Sequence, residues 1–396
     1  MATEPKASRL DEPALLRDLY HEFAERRRTS PVWPESVAPG TGDGVTLYRY
    51  EDCARVLRDP ATFSSRAYEQ NINLVMGRTI LSMDEPDHKW HRDLVAHAFL
   101  QKTLASWADG VISAICNELV DHFQPSGRAD LVAEFCGEVP IRVTARILGL
   151  PPEDGAEFQR WGEDLLNIVE DVERGFAASL ALRDYFAAIL QERRHAPQED
   201  MISDLARAEI DGRRLDDEDI YSFLRLLLPA GVETTAHALP TLLWRLLGHP
   251  DQLQAVVSDR SLVPRAIEES LRLDVPVLYI ARMAAVDTEI GGTPVPAGSY
   301  ITLCLGSANR DESRWADPDR FDVGRPPQQH LAFAAGPHMC LGQQLARMEI
   351  AVAVGVLLDR LPNLHLDREV KPPSVIAGSG GSLPSLDSLP VRFDVA

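Results

Sequence analysis

The sequence lacks any hydrophobic run long enough to cross a bilayer. Its longest purely apolar stretch, Ile350 to Leu358, falls far short of the ~20 residues required. The first thirty residues carry too many charges for the apolar core of a signal peptide. A soluble, cytoplasmic protein with no membrane association is expected. Cysteine is scarce: five residues are scattered between Cys53 and Cys340 without a CxxC pair, which points to a reduced compartment rather than a disulfide framework. Positive charge is in deficit, with 40 Lys and Arg against 60 Asp and Glu and a formal charge of −20. That balance repels nucleic acid and anionic membranes alike. No internal repeat, low-complexity tract or Gly/Ser linker divides the chain, which excludes a solenoid or a tethered module.

What remains is ordinary globular composition, 45% hydrophobic and 25% charged over 396 residues, enough to bury a core and enclose a cofactor. Helical patterns dominate from about Ser106 to Leu273, followed by turns and short strands. A long helix is expected from Asp216 to Leu247, capped by Asp216 and stopped by Gly248, His249 and Pro250. Pro229 and Pro240 interrupt it, and Pro229 frees the carbonyl of Arg225, so an enlarged kink is expected there. A second helix starts near Pro264 and ends before Pro276. A third starts at Cys340 and lines up Leu341, Leu345, Met348, Val352 and Val356 on one face. Between them, Glu289-Ile290 and Tyr300 to Leu305 read as strands beside the turns at Gly291-Gly292 and Ala297-Gly298. The fold class is mainly α with a smaller β portion.

The most informative segment runs from Phe333 through Gly336 and His338 to Cys340 and Gly342. Gly336 allows a tight reversal, and Gly342 lets another group approach without a Cβ in the way. A cysteine at a helix N-terminus is placed to form a thiolate. Such a thiolate ligates iron and favours O–O bond cleavage. The pattern Phe-x-x-Gly-x-x-x-Cys-x-Gly resembles the cysteine-ligand loop of the cytochrome P450 family, and every fixed position is present. The resemblance implies that Cys340 is the metal ligand, the axial thiolate of haem b (iron protoporphyrin IX), with Phe333, Gly336 and Gly342 in the cofactor-binding loop. It also implies the cytochrome P450 fold, with the haem between the long central helix and the helix after the cysteine. An N-terminal segment (1–45) would pack on a single haem-binding domain (46–396).

Other segments match the family in its order. Glu269 and Arg272 resemble its Glu-x-x-Arg pair, a buried structural ion pair. His88 and Arg92 resemble its His-x-x-x-Arg motif; one helical turn apart, both can face one haem propionate. Arg282 and His338 fall where the family places further propionate partners, whereas His91 is read as exposed. Ala230, Gly231, Val232, Glu233, Thr234 and Thr235 resemble the oxygen-activating segment, where Ala230 and Gly231 leave room at the haem face. By that likeness Thr234 is the catalytic alcohol and Glu233 the acid that relays protons; Thr235 is one place too far along. Ala334 stands where the family often has glycine, which tightens the approach to the haem.

The implied activity is a haem-thiolate monooxygenase that inserts one atom of molecular oxygen into a small hydrophobic substrate. No flavin or nicotinamide domain fits in the chain, so electrons are expected from a separate iron–sulfur ferredoxin and its reductase. Arg92, Lys102 and Arg347 are candidates for a local basic docking patch on a monomer. By family position the substrate pocket takes Asn73 to Met76, the segment around Asn167, Pro229, Ala230, Leu278, Ile280 and Gly380 to Leu383. A peroxide-using or isomerase-like relative and a non-catalytic haem sensor stay open as alternatives, although Glu233 and Thr234 weigh against both.

Overall fold

In the computed structural model the longest element is a central helix, Asp217–Gly248. The described residues are 14–36, 43–70, 72–96, 108–151, 154–168, 171–377 and 384–395. Asp216 caps the central helix through a capping box: its carboxylate accepts from the Asp219 N–H, and the Asp219 side chain accepts from the Asp216 N–H. The helix continues through both Pro229 and Pro240 as one element, matching the single span expected from Asp216 to Leu247. Both residues are buried. Packing on several sides holds the helical path despite the lost backbone bonds.

The second helix, Val263–Leu273, is anchored to the first. Arg245 of the central helix makes a bidentate pair with buried Asp274, at 2.6 and 2.8 Å, and Arg310 adds a third contact to the same carboxylate at 3.0 Å. Glu269 and Arg272 form the expected buried pair, at 2.8 and 3.0 Å. Arg272 also donates to the carbonyls of Asn309 and Pro318, and Arg325 reaches Glu269. This network fastens the loop preceding the cysteine segment to the helical body.

The C-terminal helix is Gln343–Arg360 and therefore begins three residues after Cys340, with Gly342 as its cap. Its fully buried positions are Glu349, Ile350, Ala353, Val354 and Leu357. The stripe expected from Leu345 to Val356 is only half-buried, because neighbours cover this helix from another side than its apolar periodicity suggests.

Strands are a minority, as expected. Five form one sheet in the order Val32–Ser36, Asp43–Leu47, Tyr300–Cys304, Tyr279–Ala284 and Phe63–Ser64. Within it Ile301 pairs with both Val45 and Arg282. The N-terminal helix Ala14–Thr29 contributes Leu16, Tyr20 and Phe23 to the core beneath this sheet. No helix among the described residues is long and apolar enough to cross a membrane.

Candidate active site

The cysteine loop is built by close approach. Gly336 sits at φ +72°, and a Cβ there would lie 2.2 Å from the Leu57 carbonyl oxygen, so only glycine lets the loop close on the end of helix Tyr50–Arg58. Ala334 occupies the left-handed region at φ 57°, a conformation that disfavours a Cβ. The Cys340 N–H donates to the Phe333 carbonyl at 2.9 Å and closes the loop. A Cβ on Gly342 would meet nothing within 4 Å, which leaves the approach open.

Cys340 alone among the five cysteines is accessible. It lies deep in the protein, so the accessible surface belongs to an internal cleft. The backbone N–H groups of Gly342 and Gln343 point at its sulfur. Burial pushes the thiol up all the same, against the lowering by these N–H groups, Arg92 and Arg347. The N–H groups at the helix start favour the thiolate, as expected, while desolvation opposes it; a metal bound at the sulfur would favour deprotonation further.

Four basic groups gather beside this sulfur. The His88 and His338 rings lie 3.8 Å apart. Arg92, from the same helix as His88 (Asp87–Ala96), donates to the Met339 carbonyl at 2.6 Å. Arg282 projects from strand Tyr279–Ala284, is buried, and donates to the Ala281 carbonyl at 2.7 Å. His338 shares a 3.0 Å hydrogen bond with Ser65. Burial, then Arg282, His88 and Arg92, hold its pKa down at about 2. Glu85 reaches only Nδ1 of His88, at 3.1 Å; Nε2 is buried without a partner. Two desolvated arginines, with two imidazoles that burial and those arginines keep from protonating, fit a multiply charged anionic ligand. The two carboxylates of a haem match that requirement, and an accessible thiol matches its iron.

His91 is not exposed, which corrects the reading above. It is buried, with Nδ1 2.8 Å from the Asp87 carbonyl and Nε2 3.5 Å from Asp219. Its helix turns it towards the first turn of the central helix instead of solvent.

On the central helix, Ala230 is accessible between buried Pro229 and Val232, so it also faces a cleft. The Thr234 hydroxyl donates to the Ala230 carbonyl at 2.9 Å, the back-bond available to a helical threonine. Thr235 is buried. A Cβ on Gly231 would meet Thr144 Oγ1 at 3.5 Å, ordinary contact, so its missing side chain faces helix Glu138–Leu148. Burial, and then Glu163, push Glu233 up to about 7.

A cavity of about 360 Å³ lies beside this segment, with Glu163, Asn167, Pro229, Val232, Glu233 and His237 among its lining. Met76 is buried on the short helix Ile72–Met76, where the Val75 carbonyl accepts from Ser179 and Arg225. Ile280 is half-buried in its strand. Leu278 does not line this cavity: it packs in the sheet-side core, and a Cβ on Gly306 would sit 2.6 Å from its Cδ2. Gly380 to Leu383 and Lys102 lie outside the described residues. Arg347 is not a free docking charge. It grips Glu268 at 2.6 and 3.0 Å and lies 4.3 Å over the Phe333 ring. Glu163, Glu268 and His237 were missed from the sequence; helical spacing from Glu233 singles out His237 one turn on, but no motif marks the other two.

The cytochrome P450 family model matches residues 163–387. A steroid C26-monooxygenase of Mycobacterium tuberculosis is 36% identical over 325 residues, covering 79% of this chain and 85% of the relative. The cyclomarin C epoxidase of Salinispora arenicola is 34% identical over 364 residues, covering 89% of each. The solved structure of cytochrome P450 CYP109Q5 from Chondromyces apiculatus superposes with a TM-score of 0.86 at 38% identity, covering 97% of both chains. The helical body, the small sheet and the cysteine loop are thus those of a family of oxygen-incorporating oxidoreductases, and this chain belongs to the cytochrome P450 family.

Proposed function

We propose that the chain is a haem-thiolate monooxygenase acting on a hydrophobic substrate, with Cys340 as the axial ligand of haem b. The observation that carries this reading is the convergence of His88, Arg92, Arg282 and His338 beside the accessible Cys340. Those four side chains hold and orient the two propionates. Gly336 and Gly342 let the loop approach closely, and Arg347 supports Phe333 from the side. When bound, the haem supplies the oxygen-activating chemistry.

The chain's own part in that chemistry is proton delivery. Glu233, near half protonation at neutral pH, holds or passes a proton. The Thr234 hydroxyl, whose own hydrogen goes to Ala230, keeps lone pairs free to accept one. Leu228, Pro229 and Val232 give the neighbouring cavity an apolar wall on the side of the central helix. Relatives named for a steroid and for cyclomarin C support a hydrophobic substrate for this chain as well. Electrons come from a separate ferredoxin and reductase.

The test is reconstitution with a surrogate ferredoxin system and hydrophobic candidates that shift the ferric spin state. Oxygenated product made with electron donor and oxygen, and lost without the ferredoxin, is expected. Turnover with peroxide alone, at the same rate and without ferredoxin, would favour the peroxide-using alternative.

A further inference from the structure

The acid of the proposed relay has an unusual neighbour. Glu233 makes no ion pair with a Lys or Arg among the described residues; across the cavity it faces the carboxylate of Glu163, on helix Gly155–Leu166. Glu163 is exposed whereas Glu233 is half-buried, so the two stand at the outer and inner ends of one space. Gln159 donates to the Glu163 carboxylate at 3.1 Å, and Asn167 and Ser385 also line the cavity and supply hydrogen-bonding groups for water. Its volume of about 360 Å³ far exceeds the ~10–15 Å³ that one water needs.

We propose that Glu163 is a positioning residue for Glu233: the two carboxyls share one proton through water in this cavity, with Glu163 as the entry point from solvent. The inference rests on Glu233 being the relay acid. A proton leaves the Glu163 carboxylic acid, which becomes a carboxylate, and arrives on the Glu233 carboxylate; solvent then reprotonates Glu163. A carboxylate facing Glu233 across one space adds to burial in favouring the protonated form of Glu233.

Other charged groups around the pair do not cancel this effect. On the helix of Glu163, Asp164 pairs with Arg174 and Arg160 pairs with Glu157. The Glu138–Leu148 side presents Gly137, and the strands Val375–Ala377 and Pro384–Leu386 present Ile376 and Ser385. On the central helix, burial holds His237 down at about 4, so it is neutral at physiological pH.

The test uses the ferric holoenzyme and three variants, Glu163→Gln, Glu163→Lys and Glu233→Gln. The protonated-carboxyl band of Glu233 is assigned in the infrared by subtraction of the Glu233→Gln spectrum and titrated with pH. In Glu163→Gln the midpoint is expected to fall by about half a pH unit, and in Glu163→Lys by about one or more. The pH profile of product formed per oxygen consumed should move with it. Midpoints unchanged in both Glu163 variants would overturn the proposal. Full coupling retained by Glu233→Gln would instead overturn the relay reading itself, and the two failures are distinguishable because the infrared midpoint does not depend on turnover.

Discussion

Arg347 grips Glu268 with two hydrogen bonds, Nε to Oε1 at 2.6 Å and Nη2 to Oε2 at 3.0 Å, while its guanidinium covers the Phe333 ring. The C-terminal helix, the helix of the Glu-x-x-Arg pair and the cysteine loop are thereby tied at one point. His330 adds a contact to the same carboxylate at 3.2 Å. Burial opposes charge on Glu268, but His330 and Arg347 outweigh it and hold its pKa at about 2.

Arg347→Ala is therefore expected to loosen the cysteine loop rather than only a docking patch. The loss should be about 1–2 kcal/mol in urea denaturation, a modest figure because the pair is partly exposed. The folded-state pKa of Glu268 lies below its ordinary value, so its contribution is present above about pH 4.5 and lost as pH falls towards 2. Denaturation midpoints across that interval should show the loss in wild type and a smaller one in Arg347→Ala.

Arg272→Ala should be more severe. It leaves buried Glu269 without its bidentate partner and removes the donors to Asn309 and Pro318. Breaking a buried pair in this way costs about 3–5 kcal/mol. Loss of folded, haem-loaded protein on expression is the expected result, and thermal melting of any recovered protein is the measure.

Ala334 and Gly336 have opposite expectations although both have positive φ. Ala334→Gly relieves a left-handed alanine, offset partly by backbone entropy, and should stabilise by about 0.5 kcal/mol. Gly336→Ala drives a Cβ into the Leu57 carbonyl and should destabilise the loop or prevent haem retention. Paired thermal melts and haem content decide both.

Glu233→Gln and Thr234→Ala should each divert reducing equivalents from product. Removal of a positioned acid costs about 10²-fold or more in the step it serves. With its pKa pushed up to about 7, wild-type Glu233 loses its proton above neutrality, so coupling should decline there. The raised value also means that the folded protein binds the proton more tightly than the unfolded chain does. Its contribution to stability is therefore full below about pH 4.5 and lost as pH rises through 7. Product per oxygen consumed, measured from pH 6 to 9, tests the first statement.

Much of the fold was legible because its signals are local. Asp216 caps where its side-chain chemistry requires, and Gly291-Gly292 turns between the strands Thr288–Ile290 and Thr293–Val295. The cysteine loop was readable because Gly336 and Cys340 hold fixed spacings. What escaped depends on distant partners. His91 has the local look of a charged surface helix, and the packing of distant residues such as Asp219 and Phe223 around it makes it buried. Arg347 appears free in sequence because Glu268 lies 79 positions away. Leu278 packs in the sheet-side core through neighbours such as Gly306, a contact between distant positions that local sequence does not display.

The proposed bond between the Cys340 sulfur and haem iron is tested most directly by the visible spectrum of the reduced carbon-monoxide complex. Wild-type protein is expected to give the strongly red-shifted Soret band of a thiolate-ligated haem, and Cys340→His to retain haem but lose that shift. A globin-like spectrum from freshly purified wild-type protein, or the same red shift in Cys340→His, would contradict the account.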